Sequence, residues 1–260
     1  MTAPALDLVF AAGAGHTALS RRRHRWPLLV GRVFGPEPPC RYATVIIQNA
    51  AGAVIPGDRI VQRFTAVDGA VIAVRGQGAT TVTGVPGGPP AAEEAVIHVD
   101  ATSRLVFDPG PRILTPHARY RQQLRVHVAP GGCAVVVDAV VLHPDLTDDS
   151  FGRFESTVVV AGGGPTPLAV DAQVLETLPR PRRAPTAFAS IYVVGAEAVA
   201  TTAPQAPADR RVYLAASELP NGAGGLVRVA AADGGALREA VAAIRARLAS
   251  DTAATADGAR

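Results

Sequence analysis

Short runs of alternating apolar and polar residues fill most of the chain, and this period of two marks half-buried β-strands. Residues 120–129 (YRQQLRVHVA) alternate most cleanly, with Leu124, Val126 and Val128 on one face and Arg125 and His127 on the other. Residues 43–48, 60–67, 70–75 and 95–99 are short, rich in β-branched side chains and bounded by Gly, Pro, Asp or Asn. Residues 154–160, 168–175, 189–194, 211–216 and 226–230 continue the series. Residues 133–142 (CAVVVDAVVL) are apolar at both parities, which predicts a strand covered on both faces. Asp68-Gly69 and Pro130-Gly131-Gly132 carry the residues of hairpin turns. The period changes once, near the end. Leu237, Val241, Ile244 and Leu248 recur at helical spacing, Arg238, Arg245 and Arg247 lie off that stripe, and Asp233 is placed to cap the first turn.

Strands at near-regular spacing with a single terminal helix predict a mainly β fold, two stacked sheets with a C-terminal α-helix, rather than alternating βαβ units. The stretches 179–185 (PRPRRAP) and 203–209 (APQAPAD) read as linkers, but neither is flanked by a change of fold type. Residues 1–250 are therefore expected to form one domain, with 251–260 a disordered tail. At 260 residues and 48% hydrophobic composition, the chain can bury roughly 70–75% of the surface its unfolded form exposes. No apolar run reaches the roughly 18–20 residues of a membrane span, and residues 1–10 lack the charged leader of a signal peptide. The cytoplasm is the expected compartment.

Composition removes several chemistries. All 25 basic residues are Arg; there is no Lys. A Walker A phosphate loop, a Schiff base and a protein-kinase site each need Lys, so none is available. Genome composition, with its abundant Ala and Gly, is the plain explanation for the replacement. Met1 is the one Met, so there is no internal thioether for soft copper. Cys40 and Cys133 cannot build a four-thiolate zinc site. His16, His24, His98, His117, His127 and His143 include no i,i+4 pair, and no Ser lies in a G-x-S-x-G elbow. Residues 52–57 do not form a G-x-G-x-x-G dinucleotide fingerprint. Arg21-Arg22-Arg23-His24-Arg25 and residues 180–183 could meet nucleic acid or an acidic partner, but aromatics are only 5% and net charge only +3, so solvated loops are the plainer role.

One carboxylate stands out. Asp138 interrupts an otherwise apolar strand, where an unpaired charge is costly. It either faces an internal polar channel or a partner, or forms a buried pair with an Arg. Asp58, after Pro56-Gly57, has the context of an ordinary turn residue.

Read in order, several segments resemble the urease accessory protein UreD (UreH) family. A Gly-rich stretch ending in Gly-Asp is matched by Ala51-Gly52-Ala53-Val54-Ile55-Pro56-Gly57-Asp58, and a Thr-Thr segment by Gly78-Ala79-Thr80-Thr81. Leu105-Val106-Phe107-Asp108-Pro109-Gly110-Pro111-Arg112-Ile113 leads into an Arg-rich strand, followed by Val136-Val137-Asp138. Residues 189–195 and 225–229 resemble the family's later strands. Where the family usually continues from Thr-Thr to Lys-x-Tyr, this chain has Val82-Thr83-Gly84-Val85-Pro86, so the resemblance is to a divergent member. It implies a non-catalytic scaffold, without a tightly bound cofactor, that joins UreF and the GTPase UreG to insert nickel into apo-urease. It also implies a transient internal route for the metal, with Asp58 and Asp138 as polar stations. Neither nucleic acid nor membrane is an expected partner. The competing expectation is a β-sandwich hydrolase or isomerase that uses Asp138 with a nearby His.

Overall fold

A computed structural model describes residues 3–36, 41–162, 164, 166–178, 184–195 and 211–257, with side chains as far as Leu248. Cys40, the Arg cluster at 180–183 and the 203–209 stretch lie outside the described residues, as does most of the 179–185 stretch.

The fold is mainly β, with two sheets and a C-terminal helix, as the periodicity predicts. The first sheet runs β15 (Pro167–Leu175), β14 (Arg153–Ala161), β12 (Arg119–Val128), β9 (Ala91–Val99), β6 (Arg59–Val67), β1 (Leu6–Gly13), β2 (His16–His24). The second runs β17 (Val212–Leu219), β18 (Gly224–Ala231), β16 (Ala187–Gly195), β13 (Cys133–Leu142), β10 (Arg104–Asp108), β7 (Val71–Gly76), β4 (Ala43–Asn49), β3 (Leu28–Phe34). A short ladder of β5 (Ala53–Val54), β8 (Thr80–Val82) and β11 (Arg112–Leu114) joins the second sheet through β13.

The middle of each sheet is parallel. β6, β9, β12 and β14 run parallel in the first sheet, and β4, β7, β10 and β13 in the second. Parallel neighbours need a long crossover, most often a helix. Here each crossover is a strand of the opposite sheet: the chain passes from β6 to β7, from β9 to β10 and from β12 to β13, changing sheets each time. Ala73, Val106 and Val135 thus stand side by side in successive coils.

This winding corrects the hairpin reading of the turns. Asp68-Gly69 and Pro130-Gly131-Gly132 do reverse the chain, and Asp68, Gly69 and Gly131 have positive φ. The strands they join belong to different sheets and do not pair. The turns stack on each other instead. Asp68 N–H donates to Asp100 Oδ2 (2.8 Å), Gly69 N–H to Thr102 Oγ1 (2.9 Å) and Ala70 N–H to Ser103 Oγ (3.1 Å). On the next coil a Cβ at Gly132 would lie 2.2 Å from the Asp100 carbonyl oxygen, so only Gly fits that approach.

The main core fills the space between the sheets. Leu8, Phe10, Phe64, Ile97 and Val126 from one side meet Val45, Ile72, Leu105, Phe107 and Val136 from the other. A second apolar layer lies outside the second sheet, where Val135, Val137, Ala139, Ile191, Val227 and Val229 pack under α1 (Gly234–Asp257) through Leu237, Val241 and Ile244. β13 therefore has a covered face on each side, which explains its apolar character at both parities. Asp233 caps α1 as predicted: its Oδ1 accepts from Ala236 N–H at 2.9 Å. The Arg21–His24 run is not a loop but the end of edge strand β2, held by in-plane pairing to β1. Arg21 pairs with Asp7 at 2.9 Å, and Arg22 donates to the Val30 carbonyl at 2.9 Å.

Candidate functional site

Inward-facing positions in these strands are apolar with few exceptions, and the exceptions lie together. On β13, Ala134, Val136, Val140 and Leu142 face the main core, and Asp138 shares their parity. The strand's period of two therefore points this carboxylate into the space between the sheets. Register places Asp138, Ser190 and Arg228 side by side in β13, β16 and β18. On the facing sheet, Glu93, Gln122, Ser156 and Gln173 stand side by side in β9, β12, β14 and β15. The two rows meet and form a polar belt through an otherwise apolar interior.

Hydrogen bonds join the belt in two sets, one from Arg112 to Asp138 and one around Asp171. Gln122 Nε2 donates to Asp138 Oδ1 at 2.8 Å, and the Ser156 hydroxyl to Asp138 Oδ2 at 2.5 Å. Tyr120 donates to Glu93 Oε2 at 2.5 Å, its hydroxyl also 3.2 Å from Gln122 Oε1. Arg112, on β11, grips Glu93 with Nε to Oε2 at 2.5 Å and Nη2 to Oε1 at 3.2 Å. Farther along, Arg228 donates to Ser190 Oγ at 2.7 Å and to both Asp171 oxygens at 2.8 Å. Tyr192 also hydrogen-bonds Asp171. Of the two readings of Asp138, the direct Arg pair is not what forms. Its donors are neutral, and Arg112 is spent on Glu93.

Burial sets the electrostatics. It pushes the Asp138 carboxyl above the usual carboxylate range, against the opposing pull of the Ser156 and Gln122 hydrogen bonds and the Arg112 charge. Tyr120 is held well above its ordinary value by burial and by the Glu93 charge. Burial works against the Arg112 cation, but the Glu93 carboxylate outweighs it and raises that pKa. Buried ionisable groups are tolerated here because each has partners.

A cavity lies at each end of the hydrogen-bonded run. One, of about 320 Å³, is lined by Gln62, Glu93 and Arg112 together with Gln48, Asn49 and Thr80. The other, of about 240 Å³, is lined by Asp138, Gln173, Ser190 and Arg228 among others. Glu93 faces the first and Asp138 the second, joined through Tyr120 and Gln122. Among the described residues no three His, Cys, Asp or Glu side chains converge as a metal cage.

Asp58 is elsewhere. It closes the turn before β6, where its Oδ2 accepts from Ile55 N–H at 3.0 Å and its own N–H donates to the Ile55 carbonyl at 3.0 Å. Nor does a His attend Asp138: His98 and His127 are register partners stacked at 4.5 Å between ring centroids, at positions whose parity is opposite to the core-facing Ile97 and Val126. The hydrolase or isomerase expectation, which needed such a His, loses its second residue. Inspection of Asp138 alone missed Glu93, Arg112, Tyr120, Gln122 and Ser156. For four of them the signal was present: Glu93 shares the parity of Ala95 and Ile97, Tyr120 and Gln122 that of Leu124 and Val126, and Ser156 that of Phe154 and Val158.

Comparison with known proteins agrees with the family resemblance of the sequence. The family model described as UreD urease accessory protein matches residues 2–258. This chain belongs to the UreD family. It is 54% identical over 252 residues to the urease accessory protein UreD of Mycolicibacterium smegmatis, covering 96% of this chain and 92% of that relative. It is 36% identical to UreD 2 of Bradyrhizobium sp. ORS 278, covering 93% and 88%, and 30% identical to UreD 1 of Methylorubrum populi, covering 92% and 84%. The UreD match extends across the belt, both cavities and the described part of α1. Among the described residues no helix is long and apolar enough to cross a membrane.

Proposed function

We propose that this protein is a non-catalytic urease maturation factor of the cytoplasm, acting with UreF and the GTPase UreG to insert nickel into apo-urease. Membership of the UreD family supports the urease role. The observation that carries the rest is the polar belt joining two cavities through the sandwich. Carboxylate, amide and hydroxyl oxygens bind a divalent cation weakly and exchange it readily, whereas a closed cage of thiolates and imidazoles would retain it. Passage of an ion needs sites that are several and weak. Nickel is here a transient cargo with no resident site. Asp138, in the lining of the second cavity, is its principal station, and Asp58 a second one at the turn before β6. A chain without Lys has no Walker A loop and leaves GTP hydrolysis to a partner.

The test is urease activation in cells co-expressing the urease subunits and accessory proteins, with recovery of the UreF–UreG complex as the control for folding. Asp138→Ala should lower activation about tenfold, the order expected for losing one charged contact worth about 1.4 kcal/mol, while the complex still assembles. Asp58→Asn keeps the turn acceptor and removes the charge, so reduced activation separates an ionic role from a turn role. Full activation by both variants would sink the stations. Failure of the wild-type chain to co-purify with UreF and UreG would sink the complex.

A further inference from the structure

We infer that the cavity between α1 and the outer face of the second sheet is a binding site for a small organic oxyanion, an apolar body carrying a phosphate or carboxylate head. This inference is independent of the maturation role, because the site lies on the other side of β13 from the belt.

The cavity encloses about 520 Å³. Its apolar wall is built from Ile113 of β11, Val137 and Val141 of β13, and Leu237 and Val241 of α1. Its polar side carries three guanidinium groups, Arg75 of β7 and Arg238 and Arg245 of α1, against a single carboxylate, Asp108. Asp108 is bound to Arg245 through Nη1, which leaves the lining positive. The Nε atoms of Arg75 and Arg245 are buried and have no hydrogen-bond partner among the described residues. A buried donor without an acceptor is costly, and native interiors rarely keep one. Both donors belong to Arg side chains that line this cavity, where an acceptor can meet the guanidinium groups.

The chemistry of the donors defines that acceptor. A guanidinium presents a planar fork that matches the oxygens of phosphate and carboxylate, and such charge-assisted bonds are among the stronger ones. An ion as small as inorganic phosphate would leave the wall of Ile113, Val137, Val141, Leu237 and Val241 facing empty space. A ligand with an apolar body fills it. The helix terminus is not what makes the site, since Asp233 already accepts from the Ala236 N–H.

The experiment is calorimetric titration of the full chain with phenyl phosphate and benzoate as complete ligands, inorganic phosphate as the head alone and benzyl alcohol as the body alone. Saturable binding of phenyl phosphate or benzoate, tighter than either fragment, is the expected result. Arg75→Met and Arg238→Gln should each weaken it about tenfold, the value of one charge-assisted contact. Arg238 is exposed and Arg75 is in no ion pair among the described residues, so neither variant removes a salt bridge. Absence of saturable binding would mean that water alone fills the cavity and would overturn the inference, as would undiminished binding by both variants. Inorganic phosphate binding as tightly as phenyl phosphate would overturn the organic body.

Discussion

Asp138 is buried with two neutral donors, and desolvation raises its carboxyl above the value near 4 that it has in the unfolded chain. The sign of the consequence follows from proton counting. Between the unfolded value and the raised folded one, the folded state binds more protons, so this residue's contribution to stability falls as pH rises through that window and levels off above it. Asp138→Asn removes the ionisation while keeping the shape: Gln122 can still donate to the amide oxygen, and the Ser156 hydroxyl can turn to accept from the amide nitrogen. The variant's stability relative to wild type should therefore grow with pH above about 4, by up to about 1.4 kcal/mol for each tenfold fall in proton concentration inside the window, and then stay constant. Urea unfolding at a series of pH values measures the difference. A pH-independent difference would show that folding does not raise the Asp138 carboxyl. At this scale the sequence disclosed the acid but not its company. Strand parity assigns Glu93, Gln122 and Ser156 to the interior as surely as it does Leu124, but which buried polar groups touch depends on which strands are neighbours. Arg112 lies on a three-residue strand too short to show any period at all.

For elements, period proved a better guide than turn chemistry. The helix, its buried stripe and its Asp233 cap follow from spacing, and each long alternating run became a strand. Strand β1 also alternates, through Leu6, Leu8 and Phe10, whereas β2 gave no such signal; it is exposed along most of its length and is held by backbone pairing rather than by burial. Turn residues showed where the chain reverses but not where it goes, so Asp68-Gly69 read as a hairpin although it joins two sheets. α1 offers the clearest energetic test. Leu237 and Ile244 are buried against the outer face of the second sheet, and Leu237→Ala or Ile244→Ala should each cost about 3 kcal/mol. Asp233→Ala, which frees the Ala236 N–H at an exposed helix end, should cost about 1 kcal/mol. Chemical denaturation checks both. A Leu237→Ala cost no larger than that of Asp233→Ala would mean that the helix does not seal the outer layer.

Neither sheet is a continuous stretch of sequence. From β6 to β14 the chain enters the first sheet, leaves for the second and returns, so each sheet's parallel ladder closes only when the other sheet supplies the crossovers. The main core draws side chains from both inner faces, and the polar belt is bonded across them through Asp138, Gln122 and Ser156. A partly unfolded state that kept one sheet would thus expose the whole apolar face of that sheet and leave the belt's carboxylates without donors. Such a state has little to stabilise it, and equilibrium unfolding in urea should be one cooperative transition. Probes must be chosen with care. The single Trp, Trp26, is 70% exposed, so its emission should change little on unfolding. Tyr120 and Tyr192 are fully buried in the core, so near-ultraviolet circular dichroism reports their packing. The expected result is that this signal and the far-ultraviolet strand signal fall together, with one midpoint and one slope. Loss of tyrosine packing at a lower urea concentration than loss of strand content would show that the sheets separate before they unfold, and that interleaving does not bind them into one unit.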